Sequence, residues 1–201
     1  TSAIAQDYAY TLIQNGEDVG YLKVDQDGAT EKVDYFVDSN GRGPKHSERI
    51  KLGENDVPVT WTVQGTSLMG GEVAENYSLV DGVAEWASQA DSGKEAIAEP
   101  TLYAVNDNSP WADYVYARAL LKDADQTMPV LPAGSIALEK VRQVELDHDG
   151  EPLALTIYRL SGIDMNASLI ALDRDGVMFS NFALIRQGYE SLLPRLQEIS
   201  G

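Results

Sequence analysis

The sequence predicts a mainly β domain of the α+β class, built as a curved antiparallel β-meander or open barrel with one helix near 110–123 and a C-terminal helix near 184–198. Two observations predict this class. Turn signals of Gly, Asn and Asp recur at short intervals through the first half, and the segments between them alternate apolar and polar residues. With 201 residues, 43% of them hydrophobic, the chain is long enough for a core, and we expect a single domain over 1–201.

The first half is predicted to contain almost only strands. Val57, Val59 and Trp61 alternate with threonines, and similar alternation occurs over 19–24 and 83–88. Successive side chains of a strand point to opposite faces, so this pattern is typical of strands with one buried face. Antiparallel neighbours need only short connections, and the short spacing of the turns therefore favours a meander.

One helix is predicted over 110–123. Ser109 is a favoured N-cap residue, Pro110 suits the first helical position, and Asp113 in the first turn complements the helix dipole. An apolar face follows at i+4 spacing: Trp111, Val115 and Ala119.

β-Structure is predicted to return over 138–182, after a proline-bearing connector, and the chain is predicted to end in a helix near 184–198. The last segment carries an apolar stripe at helical spacing: Ile185, Tyr189, Leu192, Leu193, Leu196 and Ile199. Gly188 and Pro194 are expected to weaken or kink this helix.

Charge and composition exclude several classes of function. The 32 acidic residues against 15 basic ones give a net charge of -17, which disfavours nucleic acid and anionic membrane surfaces as partners. No apolar run approaches the length of a membrane-spanning helix, so we expect no membrane insertion. The absence of cysteine excludes disulfides, thiol nucleophiles and thiolate metal sites.

The motifs that could carry catalysis or metal binding are incomplete. Asp-x-Asp-Gly occurs at 25–28, 147–150 and 173–176, but none of the three has the remaining ligands of a calcium loop, so we expect hairpin turns. The two histidines, His46 and His148, occur without the spacing of a zinc site and are each expected to be a lone surface residue. We predict no catalytic residue, no metal ligand and no cofactor in this chain.

Basic residues concentrate in the stretch "NGRGPKH" and its flanks. Pro44 lacks an N–H and no helix follows, so the stretch does not fit a phosphate-binding loop. We predict a β-turn between two strands and take Arg42, Lys45 and His46 as candidate binding residues that contact acidic groups of this domain or of a partner.

Six segments carry a family resemblance: "DYFVDSNGRGPK" (34–45), "GTSLMGGEVAENY" (65–77), "AEWAS" (84–88), "LPAG" (131–134), "SGIDMNASLIALDRDGVMFS" (161–180) and "RQGYESLLPRL" (186–196). In this order they resemble the β-rich N-terminal region of exported bacterial metal-dependent amidohydrolases of the imidazolonepropionase-like kind.

The resemblance implies a non-catalytic companion domain that packs on a catalytic amidohydrolase barrel of the same chain. It further implies that the chain is a fragment of a longer protein, that the parent enzyme uses zinc or another divalent metal, and that the protein is periplasmic or secreted. No position matches the family's metal-ligand motifs, so no catalytic residue is carried over.

Two other functions stay open. A curved antiparallel sheet closed by a helix can hold a lipid or another apolar ligand, so a periplasmic binding module is the alternative. An enzyme in its own right has the least support, because no complete catalytic constellation is present. A homo-oligomer also stays open.

Overall fold

The computed structural model describes residues 5–200, and its strands form one continuous sheet of 15 strands. The strands of the first half are β1 (Gln6–Gln14), β2 (Glu17–Asp27), β3 (Thr30–Val37), β4 (Lys45–Leu52), β5 (Pro58–Thr66), β6 (Glu72–Val80), β7 (Val83–Ala87) and β8 (Ser92–Ala96). Those of the second half are β9 (Leu102–Tyr103), β10 (Thr127–Leu131), β11 (Ser135–His148), β12 (Glu151–Ser161), β13 (Ser168–Leu172), β14 (Met178–Ser180) and β15 (Leu184–Arg186). The helices are α1 (Trp111–Leu121) and α2 (Leu193–Ser200).

Two meanders join at the middle of the sheet. The strand order is β8-β7-β6-β5-β4-β3-β2-β1-β15-β14-β13-β12-β11-β10-β9, so the first and last strands, β1 and β15, are neighbours. The ladders are antiparallel except for the short parallel pair of β9 and β10. The two end strands, β8 and β9, do not pair, so the sheet is curved but not closed. The predicted fold class is confirmed.

The curvature brings β9 against the inner face of β6 and β7. The ring of Tyr103 stacks on that of Tyr77, with centroids 4.7 Å apart and planes 4° apart, and Trp86 lies 6.5 Å from Tyr103. Aromatic contacts thus replace backbone pairing where the two ends of the sheet approach each other.

Helix α1 lies inside the concave side of the sheet. Its buried residues occupy every side of the helix, as expected of a helix enclosed by a core: Trp111, Ala112, Tyr114, Val115, Tyr116, Ala117, Ala119 and Leu120. Trp111 lies 5.8 Å from the ring of Tyr8 on β1, and Tyr116 lies 5.8 Å from Trp61 on β5. The helix therefore contacts both β1 and β5 on the concave side of the sheet.

The predicted start of α1 is correct to within one residue. The helix begins at Trp111 and ends at Leu121, whereas the sequence predicted 110–123. Pro110 has helical angles, and the Ser109 hydroxyl accepts a hydrogen bond from the Trp111 backbone N–H at 3.3 Å. Ser109 thus makes the contact expected of a capping residue.

The predicted C-terminal helix near 184–198 is wrong in its first half. Residues 184–186 form β15, and α2 spans only Leu193–Ser200. Gly188 has φ +94°, in the left-handed region that interrupts a right-handed helix. The Gln187 N–H also donates to the Ala9 carbonyl at 2.9 Å, which keeps this segment beside β1.

A second core lies on the opposite face of the sheet, against strands of the second half such as β14 and β15. Leu193 and Leu196 of α2 pack there with Phe179 and Ile185, whereas Leu184 faces the core around α1. The apolar stripe seen in the sequence is real, but a strand and a helix supply it jointly.

The three Asp-x-Asp-Gly sequences lie in hairpin turns, as predicted. Asp147 Oδ1 accepts from the Gly150 N–H at 3.1 Å, and Asp173 Oδ1 accepts from the Asp175 N–H at 2.9 Å. These aspartates therefore stabilise their own turns.

Candidate functional site

Three glutamates of the first meander are buried on the concave side of the sheet. Glu31 on β3, Glu48 on β4 and Glu75 on β6 are 0%, 3% and 4% exposed. A buried carboxylate is costly unless it is paired or hydrogen-bonded. Each of the three lies against α1 or the segment that leads into it, so these glutamates position the helix.

Glu31 forms a buried ion pair with α1. Arg118 donates to both carboxylate oxygens of Glu31, at 2.8 and 2.9 Å, and Trp111 Nε1 donates to Glu31 Oε1 at 3.2 Å. Trp111 and Arg118 are two turns apart, so the single Glu31 carboxylate on β3 binds the helix near both of its ends.

Glu75 binds the segment before the helix. Its Oε2 accepts from the Tyr103 hydroxyl at 2.6 Å and from the Asn106 N–H at 2.8 Å, and its Oε1 accepts from the Asp107 N–H at 2.9 Å. The carboxylate thus satisfies two backbone donors that have no strand partner.

Glu48 is incompletely satisfied. Its Oε1 accepts from Trp61 Nε1 at 2.9 Å, while Oε2 has no hydrogen-bond partner within the described residues. Burial raises the pKa of the Glu48 carboxyl to about 7, although the nearby Ser109 and Trp61 partly offset this effect.

A cavity of about 440 Å³ lies where α1 ends, beside the β4–β5 and β6–β7 turns. The small side chain of Ala119, in the last turn of the helix, borders it. Its walls are mainly apolar: Val59, Leu79, Ile97, Pro100, Ala119 and Met128. Such a cavity can take an apolar group out of water.

The polar residues around the cavity are mostly acidic. Glu54, Glu99 and Asp123 line it, and Lys122 is the one basic lining residue in the described chain. The Lys122 ammonium lies 2.6 Å from Asp56 Oδ2, in the β4–β5 turn. The Lys122 ammonium at the cavity is therefore already paired within the protein.

The structure separates the three candidate residues of the basic stretch. Ser39 and Arg42 exchange backbone hydrogen bonds of 2.8 and 3.2 Å, which closes the predicted turn between β3 and β4. Arg42 and Lys45 are exposed, and neither has a carboxylate oxygen within 4.0 Å among residues 5–200. Their proposed contact with acidic groups stays a prediction.

His46 is not the surface residue expected from the sequence. It follows Lys45 in β4 and therefore points to the opposite, inner face, where it is 6% exposed. Its ring packs edge-on against Tyr35 with centroids 5.3 Å apart, and its Nδ1 has no hydrogen-bond partner within the described chain. Burial lowers the pKa of His46, although Asp107 opposes this shift.

The basic turn and the apolar cavity are separate sites. The turn precedes Lys45 at the start of β4, whereas the cavity lies beyond Leu52 at its end. A strand of this length spans roughly 25 Å. The candidate residues from the sequence therefore do not contribute to the cavity.

Residues 5–200 hold no cluster of three or more His, Cys, Asp or Glu side chains arranged to bind a metal ion. Neither α1 nor α2 has the length and apolar character that crossing a membrane would require.

No local pattern in the sequence predicts the cavity. Its lining comes from β5, β6, β10, α1 and the connector 97–101, and each contributes one or a few ordinary apolar residues. The closest signal is Ala119, a small residue on the apolar face of the predicted helix.

No family model matches the chain, and no curated protein does. A solved structure, the β-barrel-like protein of a domain of unknown function, DUF1849, from Brucella abortus, is similar with a TM-score of 0.47 and 10% identity, covering 90% of this chain and 93% of that one.

The resemblance to the N-terminal region of exported amidohydrolases is wrong. The solved structure named above is a DUF1849 β-barrel-like protein and not a domain of such an enzyme. Several of the segments that carried the resemblance, such as 34–45 and 65–77, consist of a hairpin turn and its flanking strands. Gly, Asn and Asp recur in such turns for backbone reasons that are independent of family. The companion-domain function, the metal of the parent enzyme and the expected export lose their support with the resemblance.

Proposed function

We propose that the protein is a non-catalytic binding module that holds a lipid or another ligand with an apolar body in the cavity at the end of α1. The observation that carries this proposal is the apolar-walled cavity of about 440 Å³. Its volume falls within the range of roughly 300 to 1,000 Å³ that is usual for small-molecule sites.

The anchoring of α1 supports a cavity that exists before the ligand binds. Glu31 fixes the helix through Arg118, and Asp56 joins the turn that forms one wall to Lys122 at the end of the helix. A preformed site lowers the cost of ordering protein groups on binding.

The size of the cavity limits the affinity. A chain that buries about eight methylenes there gains roughly 6 kcal/mol, from about 0.8 kcal/mol for each methylene. This corresponds to a Kd in the tens of micromolar, before the cost of ordering the ligand.

Titration with a neutral apolar dye, N-phenyl-1-naphthylamine, tests the proposal. We expect saturable fluorescence enhancement by the wild-type protein and a loss of affinity of at least about tenfold in Leu79→Trp, because the indole fills the cavity. Val80→Trp is the matched control, since Val80 follows Leu79 in β6, points to the other face and is 62% exposed.

Ile97→Trp is a second filling variant, placed outside the strands in case Leu79→Trp disturbs β6. Far-UV circular dichroism checks that all three variants are folded. Failure of the wild-type protein to bind the dye, or equal binding by the filling variants and the control, would overturn the proposal.

A further inference from the structure

Charged residues at the rim of the cavity affect which ligands the cavity accepts. The inference drawn from them rests on the proposed function. Glu54 and Glu99 are exposed and line the cavity, and neither carboxylate has a basic partner within 4.0 Å among the described residues. Asp123 also lines it and accepts backbone hydrogen bonds from Asp125 and Thr127. Three negative groups therefore face a ligand that enters.

Lys122 does not balance these charges for a ligand. Its ammonium lies 2.6 Å from Asp56, and Asp56 is also 3.9 Å from Arg118. The Asp56 side chain is 26% exposed, so the pair is partly shielded from water. An anionic ligand would have to compete with Asp56 for the one lining cation.

The end of α1 adds to the negative field independently of the acidic side chains. The helix ends at Leu121, and Ala119 of its last turn and the C-cap residue Lys122 border the cavity. The carboxyl end of a helix carries the negative end of the backbone dipole, which favours a nearby cation.

We infer that the cavity selects amphiphiles whose polar end is positively charged or neutral and rejects anionic amphiphiles such as fatty acids. The apolar body lies in the cavity, and the polar end remains at the rim near Glu54 and Glu99. The net charge of -17 strengthens this preference over longer range at low salt.

Competition with the bound dye tests the inference. The competitors are decyltrimethylammonium, decanol and decanoate, which share one chain length and differ in charge, each used below its micelle concentration at pH 8 and low ionic strength. We expect the cation to bind about tenfold more tightly than decanoate, with decanol between them, as several partly screened charges allow.

The variant Glu54→Gln/Glu99→Gln should reduce the ratio of cation to anion affinity to about threefold. Glu17→Gln/Glu72→Gln is the control, because it removes the same charge from exposed positions at the far ends of β2 and β6. It should leave the ratio almost unchanged.

The outcomes separate the two proposals. Tighter or equal binding of decanoate, with decanol and dye still bound, overturns the head-group selection and leaves the apolar site standing. An equal fall of the ratio in both double variants assigns the effect to net charge and also overturns it. Absence of binding by dye and decanol overturns both proposals.

Discussion

Replacement of Arg118 by methionine tests the anchoring of α1 most directly. The change removes the guanidinium but keeps much of the aliphatic stem, so the apolar contacts of this side chain are largely preserved while its ion pair is lost. It leaves the Glu31 carboxyl, which is 0% exposed, with the single hydrogen bond from Trp111 Nε1.

The size of the effect follows from the charge that stays buried on Glu31 in the variant. Breaking a buried ion pair by removing one partner costs about 3 to 5 kcal/mol. We therefore expect Arg118→Met to lose about 3 to 5 kcal/mol in the free energy of unfolding at pH 7.

A double variant tests whether the charge left on Glu31 causes this loss. The double variant Glu31→Gln/Arg118→Met should be more stable at pH 7 than Arg118→Met, since it leaves no buried charge.

Urea unfolding at pH 7 measures these differences. Arg159→Met is the control, because Arg159 pairs with Glu139 at 3.1 Å while the two side chains are 46% and 71% exposed. This control should lose at most about 1 kcal/mol. A loss below about 1 kcal/mol in Arg118→Met at pH 7, or one equal to that of the control, would refute the anchoring role of Glu31.

Three further predictions concern stability. Leu193→Ala should lower the free energy of unfolding by about 2 to 5 kcal/mol, because Leu193 is 3% exposed in the second core; a urea-measured loss below about 1 kcal/mol would contradict this. Glu48→Gln should remove a pH dependence of the free energy of unfolding. Burial raises the pKa of Glu48 in the folded state to about 7, so the native state binds more protons than the unfolded state, and between pH 4.5 and 7 the free energy of unfolding of wild type should fall by roughly 3 kcal/mol relative to the variant. A difference between the two proteins that stays constant over this pH range would contradict the prediction. Gly41→Ala should cost about 1 kcal/mol because Gly41 has φ +78°, whereas Arg42→Ala/Lys45→Ala should change thermal stability little; the reverse order would exclude a turn role.

The strands and α1 were predictable because their signals are local. In β5, Trp61 and Val63 alternate with threonines, and one buried face is enough to place such a segment in a sheet. Ser109 and Pro110 likewise mark the start of α1 within a few residues of the chain.

The buried glutamates were not predictable, because their partners are distant in sequence. Glu31 lies in a segment with charged neighbours and looks like any solvated strand position, yet Arg118, its partner, is 87 residues away. The pattern that places Glu48 and Glu75 on the same face as apolar residues is visible only when the strand boundaries are known.

The false start of the C-terminal helix has a related cause. Ile185 on β15 and Leu193 on α2 face the same second core, so their spacing in sequence resembles one continuous helical stripe. Apolar periodicity indicates which residues are buried together, but it does not show whether they belong to one secondary-structure element or to two.

Helix α1 links the anchoring groups to the cavity. Arg118 is bound to Glu31 on the sheet and lies 3.9 Å from Asp56, which in turn holds Lys122 at the cavity. Any shift of the helix would therefore move Ala119 and Lys122 relative to the opposite wall formed by Leu79 and Ile97.

Since a ligand of this cavity contacts the helix and that wall together, it binds best when the helix is anchored. By linkage, such a ligand raises the free energy of unfolding, by about 2.7 kcal/mol at a free concentration of 100 Kd. Stabilisation of wild type by decyltrimethylammonium should accordingly be weaker in Arg118→Met than in Arg159→Met, because only the first variant loosens the helix.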